Sequence, residues 1–472
     1  MTSIIGLGIG EWSNKLTGSD ATTDDCLSFL PSFYNDKTVK ELKLKVIKHA
    51  LLSDDTPLIY DLGKSKGGFV SNEIRQICWH KVLTSQLILQ PRTNVDGLNI
   101  PHCDENQIDL DVNRSFGYIS NEKTRTSLKR ILKGEIVHFF RSYPKLRYYQ
   151  GYHDIVSTFI VMFCYDSKHY KLKTKISHQT KRRLSDCIEI YSLLYLRDFL
   201  MDSLDFPIDQ LGIIPFLIKD KDITLYQKLQ LDKIKPFFAI ASILTIFSHD
   251  LKPDTMNDNC IIFQIFDLMI CTHSMYTPLV LYSNMILAVK ENLYEEYDKN
   301  LENFENETDL VHGIIQKVLI QSMQDKTTYT KLWNNVLATT RTSYTIAKDT
   351  QKKIYKMINK ASPLRNTGSG MKLVRIVDQN YIGKLIDKGI SLNEENHKKL
   401  SGNNNDYYEE RKYNKIIKAS LLIGVCSIAL GACDHKMQLS SHVFSAPNLD
   451  IPKFTDVAGI LSESLKDIKN II

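Results

Sequence analysis

Ile108-Asp109-Leu110-Asp111-Val112-Asn113-Arg114 and Tyr148-Tyr149-Gln150-Gly151-Tyr152-His153-Asp154-Ile155 bracket one stretch with apolar residues at helical spacing. Between them a helix is predicted from near Asn121, with Leu128, Ile131, Leu132, Glu135 and Phe139 in register, four of the five apolar. Pro144 stops it, because proline has no amide hydrogen to donate and its ring clashes with the preceding turn. Arg114 and Gln150 therefore flank a single helix, a spacing that can bring both side chains to a shared edge. Asp111 lies one turn before Arg114, where a carboxylate can hold the guanidinium. Alone, such a pair is a common surface feature worth roughly a few tenths of a kcal/mol.

The set of strings carries more than any member. An arginine kept extended by an aspartate can meet charge developing on a phosphate, and a glutamine on an aromatic, glycine-flanked turn can orient water. That chemistry suits hydrolysis of a nucleotide bound to another protein. Upstream lie Gly67-Gly68-Phe69 and Arg75-Gln76-Ile77-Cys78-Trp79. Ser71 is placed to cap the helix carrying the second string, Glu73 sits in its first turn, and Ile74, Ile77, Cys78 and Val82 mark one face. Trp79 reads as core.

With those three blocks in order, the sequence resembles the TBC-domain family of GTPase-activating proteins for Rab/Ypt GTPases. The run from Tyr148 to Ile155, the approach His102-Cys103-Asp104-Glu105-Asn106-Gln107, and Leu196-Arg197-Asp198-Phe199 are similar to one subfamily. Its members are held in the endoplasmic reticulum membrane by a C-terminal hydrophobic helix and act on the Rab of early secretory traffic. The resemblance covers residues 64–292. It implies that Arg114 and Gln150 are catalytic fingers supplied in trans to a GTP-bound Rab/Ypt GTPase. Asp111 would orient Arg114, Tyr148 would wedge the turn, and Arg75 and Trp79 would belong to the folding surface. No cofactor is implied, GTP and Mg²⁺ being carried by the partner. Tyr152 and His153 differ from the smaller or amide residues commonest in the family and are expected to bear on which Rab is chosen. A scaffold that binds Rabs or tethers membranes without speeding hydrolysis is the alternative, and the presence of Arg114, Gln150 and Asp111 weighs against it.

Composition fits a folded core: 43% of the 472 residues are hydrophobic, 10% aromatic and 24% charged. A net charge of +6 is mild for this length and does not argue for nucleic acid. The densest basic stretch, Lys168, Lys171, Lys173, Lys175, Lys181, Arg182 and Arg183, lacks interleaved aromatics and reads as a solvated loop between helices. Nine cysteines without a close CxxC pair suit a reducing compartment. His102-Cys103 has no second pair at ligand spacing, so no metal site is expected. Nor does a Gly-rich phosphate loop open a helix, so the domain is not expected to bind nucleotide itself. Residues 1–12 lack the features of a signal peptide.

The expected organisation is all-α: an N-terminal accessory segment 1–63 with a helix over 39–52, a TBC core 64–292, and a helical C-terminal extension 293–361. A flexible polar linker 362–415, a transmembrane helix 416–433 and a luminal tail 434–472 would follow. Four apolar stretches, 155–164, 237–247, 260–271 and 278–289, fall short of a membrane span and read as buried helices. Residues 419–433 are uncharged, and extension to Ile416 gives 18 residues interrupted by Lys418. Such a helix spans about 27 Å, which fits a thin bilayer. Arg411, Lys412, Lys415 and Lys418 on its N-terminal side predict a cytosolic face there. The expectation is a single-pass endoplasmic reticulum protein with a cytosolic catalytic domain and a luminal C-terminus.

Overall fold

Burial around one central, mostly apolar helix organises the first half of the molecule. In chain order the helices are α1 (Asp36–Leu52), α2 (Thr56–Lys64), α3 (Asn72–Thr84), α4 (Glu105–Arg114), α5 (Glu122–Ser142), α6 (Tyr152–Cys164) and α7 (His178–Tyr195). Every residue of α6 is buried, the apolar run from Phe159 to Cys164 as well as the polar residues of its first turns, His153, Asp154, Ser157 and Thr158. Helices α3, α4, α5 and α7 pack around it. The computed structural model describes residues 36–90, 99–166, 171–173, 175–253, 259–300, 307–324, 326–342, 348–366 and 376–401.

Helix α5 starts where the sequence places it. The Asn121 side chain accepts the Thr124 amide at 2.9 Å, satisfying one of the free donors of the first turn. The helix ends at Ser142, before Pro144, and buries Leu128, Leu132, Ile136, Phe139 and Phe140. Glu135 is buried among them and accepts the Ser185 hydroxyl at 2.7 Å.

After a 3-10 turn, Arg197–Leu200, come α8 (Asp205–Leu211), α9 (Ile213–Lys221), α10 (Ile223–Lys228), α11 (Ile240–Leu244), α12 (Ile261–Thr272) and α13 (Tyr276–Ala288). They are followed by α14 (Lys290–Asn300), α15 (Glu307–Gln324), α16 (Lys326–Thr342), α17 (Lys348–Met357), α18 (Pro363–Asn366) and α19 (Gln379–Ser401). Only two-residue strands occur among the described residues: Leu87–Ile88 pairs in parallel with Val377–Asp378, and Tyr165–Asp166 antiparallel with Lys171–Leu172. Three of the four apolar stretches are buried helices, α6, α12 and α13. The stretch 237–247 is broken instead, with Ile246 and Phe247 at φ 47° and 62°.

Several expectations need correction. The described part of the expected accessory segment, residues 36–63, packs on the core: α2 packs on α12, burying Leu58, Ile59 and Leu62, and Lys43 of α1 donates to Ser65 Oγ at 2.6 Å and to Lys66 O at 2.8 Å. The linker 362–415 is not uniformly flexible. Ile382, Leu385, Ile386 and Gly389 form a buried stripe on α19 at 3–4-residue spacing, and Val377 joins the strand pair. The glycine-rich and asparagine-rich flanks hid that stripe in the composition. Lys181, Arg182 and Arg183 lie on α7, whose start Ser177 caps, rather than in a loop. Ser71 stands at the N-cap of α3 but makes no capping bond, and Ile77 is exposed while Arg75 is buried.

The Leu196-Arg197-Asp198-Phe199 string clamps the C-terminal extension to the core. Arg197 donates to Ala361 O at 3.2 Å, and Asp198 accepts Ser362 Oγ at 2.5 Å and Gln210 Nε2 at 2.6 Å. Burial pulls the Arg197 guanidinium down to about 10 and pushes the Asp198 carboxyl up. No described helix is long and apolar enough to cross a membrane. The candidate span 416–433 and the tail 434–472 lie outside the described residues.

Candidate functional site: two buried aspartates and an exposed arginine

Gly68, Phe69, Arg75 and Trp79 converge on one carboxylate, Asp267 of α12. It accepts the Phe69 amide at 2.9 Å, Trp79 Nε1 at 2.6 Å, and Arg75 Nε at 2.9 and 3.1 Å, with Arg75 Nη2 at 2.9 Å. Both side chains of the Arg75–Asp267 pair are wholly inaccessible to solvent. The rest of the Arg75 fork reaches Asn72 and Asn259. Gly68 has φ 56°, and a Cβ there would lie 2.1 Å from Asp267 Oδ2, so glycine is required twice over. Arg75 and Trp79 are thus parts of the fold, as the sequence suggests. Their shared partner was legible only as an acidic interruption in an apolar run.

Asp111 of α4 builds a second cluster of the same chemistry. It is buried, and its Oδ1 receives Gln107 Nε2 at 3.0 Å and Arg114 Nη2 at 2.9 Å. Its Oδ2 receives the Tyr148 hydroxyl at 2.7 Å, with His153 Nδ1 at 3.4 Å. Burial pushes this carboxyl up, but the hydrogen bond and charge of His153, the Tyr148 hydroxyl and Arg114 together hold it below the usual range. Here the arginine is open: the Arg114 side chain is 45% exposed, anchored at one end and presenting its other donors outward.

Tyr148 ties the two strings together. Its amide donates to Asp104 Oδ2 at 3.0 Å, at the N-terminus of α4, while its hydroxyl reaches Asp111 two turns further along. Tyr148 is therefore more than a wedge: it locks the turn bearing Gln150 to the helix bearing Arg114. Gln150 is half-buried, and within the described residues its side chain makes no hydrogen bond. Gly151 follows with φ 112°, and a Cβ there would meet Thr245 Cγ2 at 2.8 Å.

The segment after α11 forms the floor of this turn. Tyr149 donates its hydroxyl to Leu244 O at 2.8 Å, and Asp154 accepts His249 Nδ1 at 3.0 Å and Lys252 Nζ at 2.6 Å. Burial raises the Asp154 carboxyl, and the charges of His153 and Lys252 with the His249 hydrogen bond outweigh it, leaving it well below the ordinary range. Asp154, His249 and Lys252 were missed in the sequence because they lie 95 and 98 residues apart. Tyr152 and His153 are 0% and 6% exposed, so any bearing they have on which Rab is chosen runs through their neighbours and not through direct contact with a partner.

His102, Cys103 and Asp104, consecutive in the sequence, offer ligand atoms within 4.8 Å of one another, with Asp104 added to the pair already weighed there. Each is engaged within the chain: His102 Nε2 meets Leu146 O at 3.1 Å, Cys103 Sγ contacts Arg147, and Asp104 holds Tyr148.

The chain matches the Rab-GTPase-TBC domain over residues 72–296. It is 38% identical to the GTPase-activating protein GYP8 of Saccharomyces cerevisiae over 411 residues, 82% of this chain and 81% of that one. It is 30% identical to the GTPase-activating protein gyp10 of Schizosaccharomyces pombe, over 60% of this chain and 69% of the relative. TBC1 domain family member 20 of Homo sapiens is 27% identical over 51% of this chain and 55% of its own length. With these likenesses and an all-helical core, the chain belongs to the TBC-domain family of Rab/Ypt GTPase-activating proteins.

Proposed function

We propose that this protein accelerates GTP hydrolysis by a Rab/Ypt GTPase of early secretory traffic by supplying Arg114 and Gln150 in trans. The observation that carries the reading is the asymmetry at Asp111: a fully buried carboxylate holds one end of an arginine that is otherwise open to a partner. GTP hydrolysis is slow because charge on the transferring phosphoryl group is poorly stabilised and the attacking water is poorly placed. A guanidinium delivered from outside answers the first problem and is worth roughly 10³ to 10⁵ in rate. The Gln150 amide, which makes no hydrogen bond among the described residues, has a donor and an acceptor to address the second. The partner carries GTP and Mg²⁺, and this chain adds no cofactor.

The protein acts from the endoplasmic reticulum membrane in this reading, held there by 416–433, with its catalytic domain cytosolic and 434–472 luminal. Support comes from the uncharged run 419–433 and the basic residues before it. Resistance of the full chain to carbonate extraction, together with glycosylation of an acceptor appended after Ile472, tests that placement. Release without a glycan overturns it.

Single-turnover phosphate release from a panel of GTP-loaded Rab GTPases, with the full-length chain at saturating concentration, tests the activity. An early secretory Rab should respond most strongly, and alanine in place of that Rab's own water-positioning glutamine should leave it responsive. Binding without acceleration across the panel would return the scaffold reading.

A further inference from the structure

His153, the second residue of α6, is buried between two carboxylates. Its Nδ1 lies 3.1 Å from Tyr148 Oη and 3.4 Å from Asp111 Oδ2, and its Nε2 lies 3.7 Å from Asp154 Oδ2. The proton positions follow from the partners. Tyr148 gives its hydroxyl hydrogen to Asp111 at 2.7 Å, so toward His153 its oxygen can only accept, and Nδ1 must carry a hydrogen. That one N–H is shared between the carboxylate that holds Arg114 and the tyrosine two residues before Gln150.

We propose that His153 is a positioning residue that sets Arg114 and Gln150 in register with each other. The proposal rests on the finger reading above and extends it inward, to a ring that is 6% exposed and so acts through its neighbours. The groups meeting the ring are Asp111 on α4, which holds Arg114, Tyr148 on the turn and Asp154 on α6, with His249 and Lys252 of the segment after α11 behind Asp154. The last two grip Asp154 and fix the far end of the ring. Leucine would fill the volume of the imidazole but leave the Tyr148 oxygen without a donor and Asp111 Oδ2 with one fewer. Asparagine keeps an N–H near the Nδ1 position, whereas glutamine keeps one near Nε2. The Nδ1 side is the one that meets Asp111, which holds Arg114, and Tyr148, which precedes Gln150, so asparagine and glutamine should differ.

The test uses full-length His153→Leu, His153→Asn and His153→Gln with the most responsive GTP-loaded Rab, alongside Arg114→Ala. A residue that orders the fingers should affect kcat and spare KM. His153→Leu and His153→Gln should lower kcat about tenfold with KM changed less than about twofold, and His153→Asn should recover most of the rate. In combination with Gln150→Ala, the loss from His153→Gln should be largely absorbed, because both changes remove the same alignment. Equal rates for the asparagine and glutamine variants overturn the proposal, as does a rise in KM that accounts for the lost efficiency. Should the leucine variant fail to give a wild-type circular dichroism spectrum, the asparagine and glutamine pair decides. Full activity of Arg114→Ala would instead sink the finger reading itself, which separates the two failures.

Discussion

Asp267 and Asp111 are buried carboxylates that each take an arginine and an aromatic donor, Trp79 in one case and Tyr148 in the other. They differ in what the arginine does with the rest of its fork. Arg75 spends it on Asn72 and Asn259 inside the core and is fully buried, so nothing is left for a partner. Arg114 gives one nitrogen to Asp111 and remains 45% exposed. A closed cluster fixes the fold; an open one presents a preorganised cation. Exposure of the guanidinium, rather than the identity of the pair, separates the two.

The largest effect expected from this contrast is at the open cluster. Arg114→Ala should remove most of the GTPase acceleration, roughly 10³-fold or more, while thermal stability stays close to wild type, because an exposed side chain contributes little to the fold. Single-turnover phosphate release with a parallel thermal melt measures both. At the closed cluster the pattern should invert. Arg75→Ala strands a buried carboxylate and should cost about 3–5 kcal/mol of stability, read by urea denaturation. Retained stability in that variant would break the comparison.

Gln150→Ala should slow turnover by at least about tenfold, or about 1.4 kcal/mol in barrier, with affinity for the GTP-loaded Rab nearly unchanged. Loss of affinity in step with rate would make Gln150 an interface residue. A smaller effect concerns acid. The folded Asp111 carboxyl sits below its ordinary value of 3.8. Its contribution is therefore fully present above that value and is lost as pH falls through the depressed folded value. The stability gap between wild type and Asp111→Asn should be widest near neutrality and close as pH drops below about 4, measured by denaturation across a pH series.

Much of the helical plan was legible. Asn121 and Pro144 mark the ends of α5 through a side-chain cap and a missing amide hydrogen, both local effects that sequence states directly. Helix α19 was not read, because its buried stripe of Ile382, Leu385 and Ile386 lies between flanks whose composition suggests a linker. Residues 237–247 read as one helix, yet Ile246 and Phe247 take left-handed backbone, a strain that the packing beneath the Gln150 turn must sustain.

The sequence alone determined the helical class, the Arg114 and Gln150 candidates and the family they point to, because residue types at fixed spacing are local information. Tertiary structure decided which charges are closed and which open. Asp267 meets Arg75 across 192 residues and His249 meets Asp154 across 95, distances over which no periodicity survives. Burial, which turns an ordinary aspartate into an anchor and sets His153 in the interior, is a property of the packed chain as a whole.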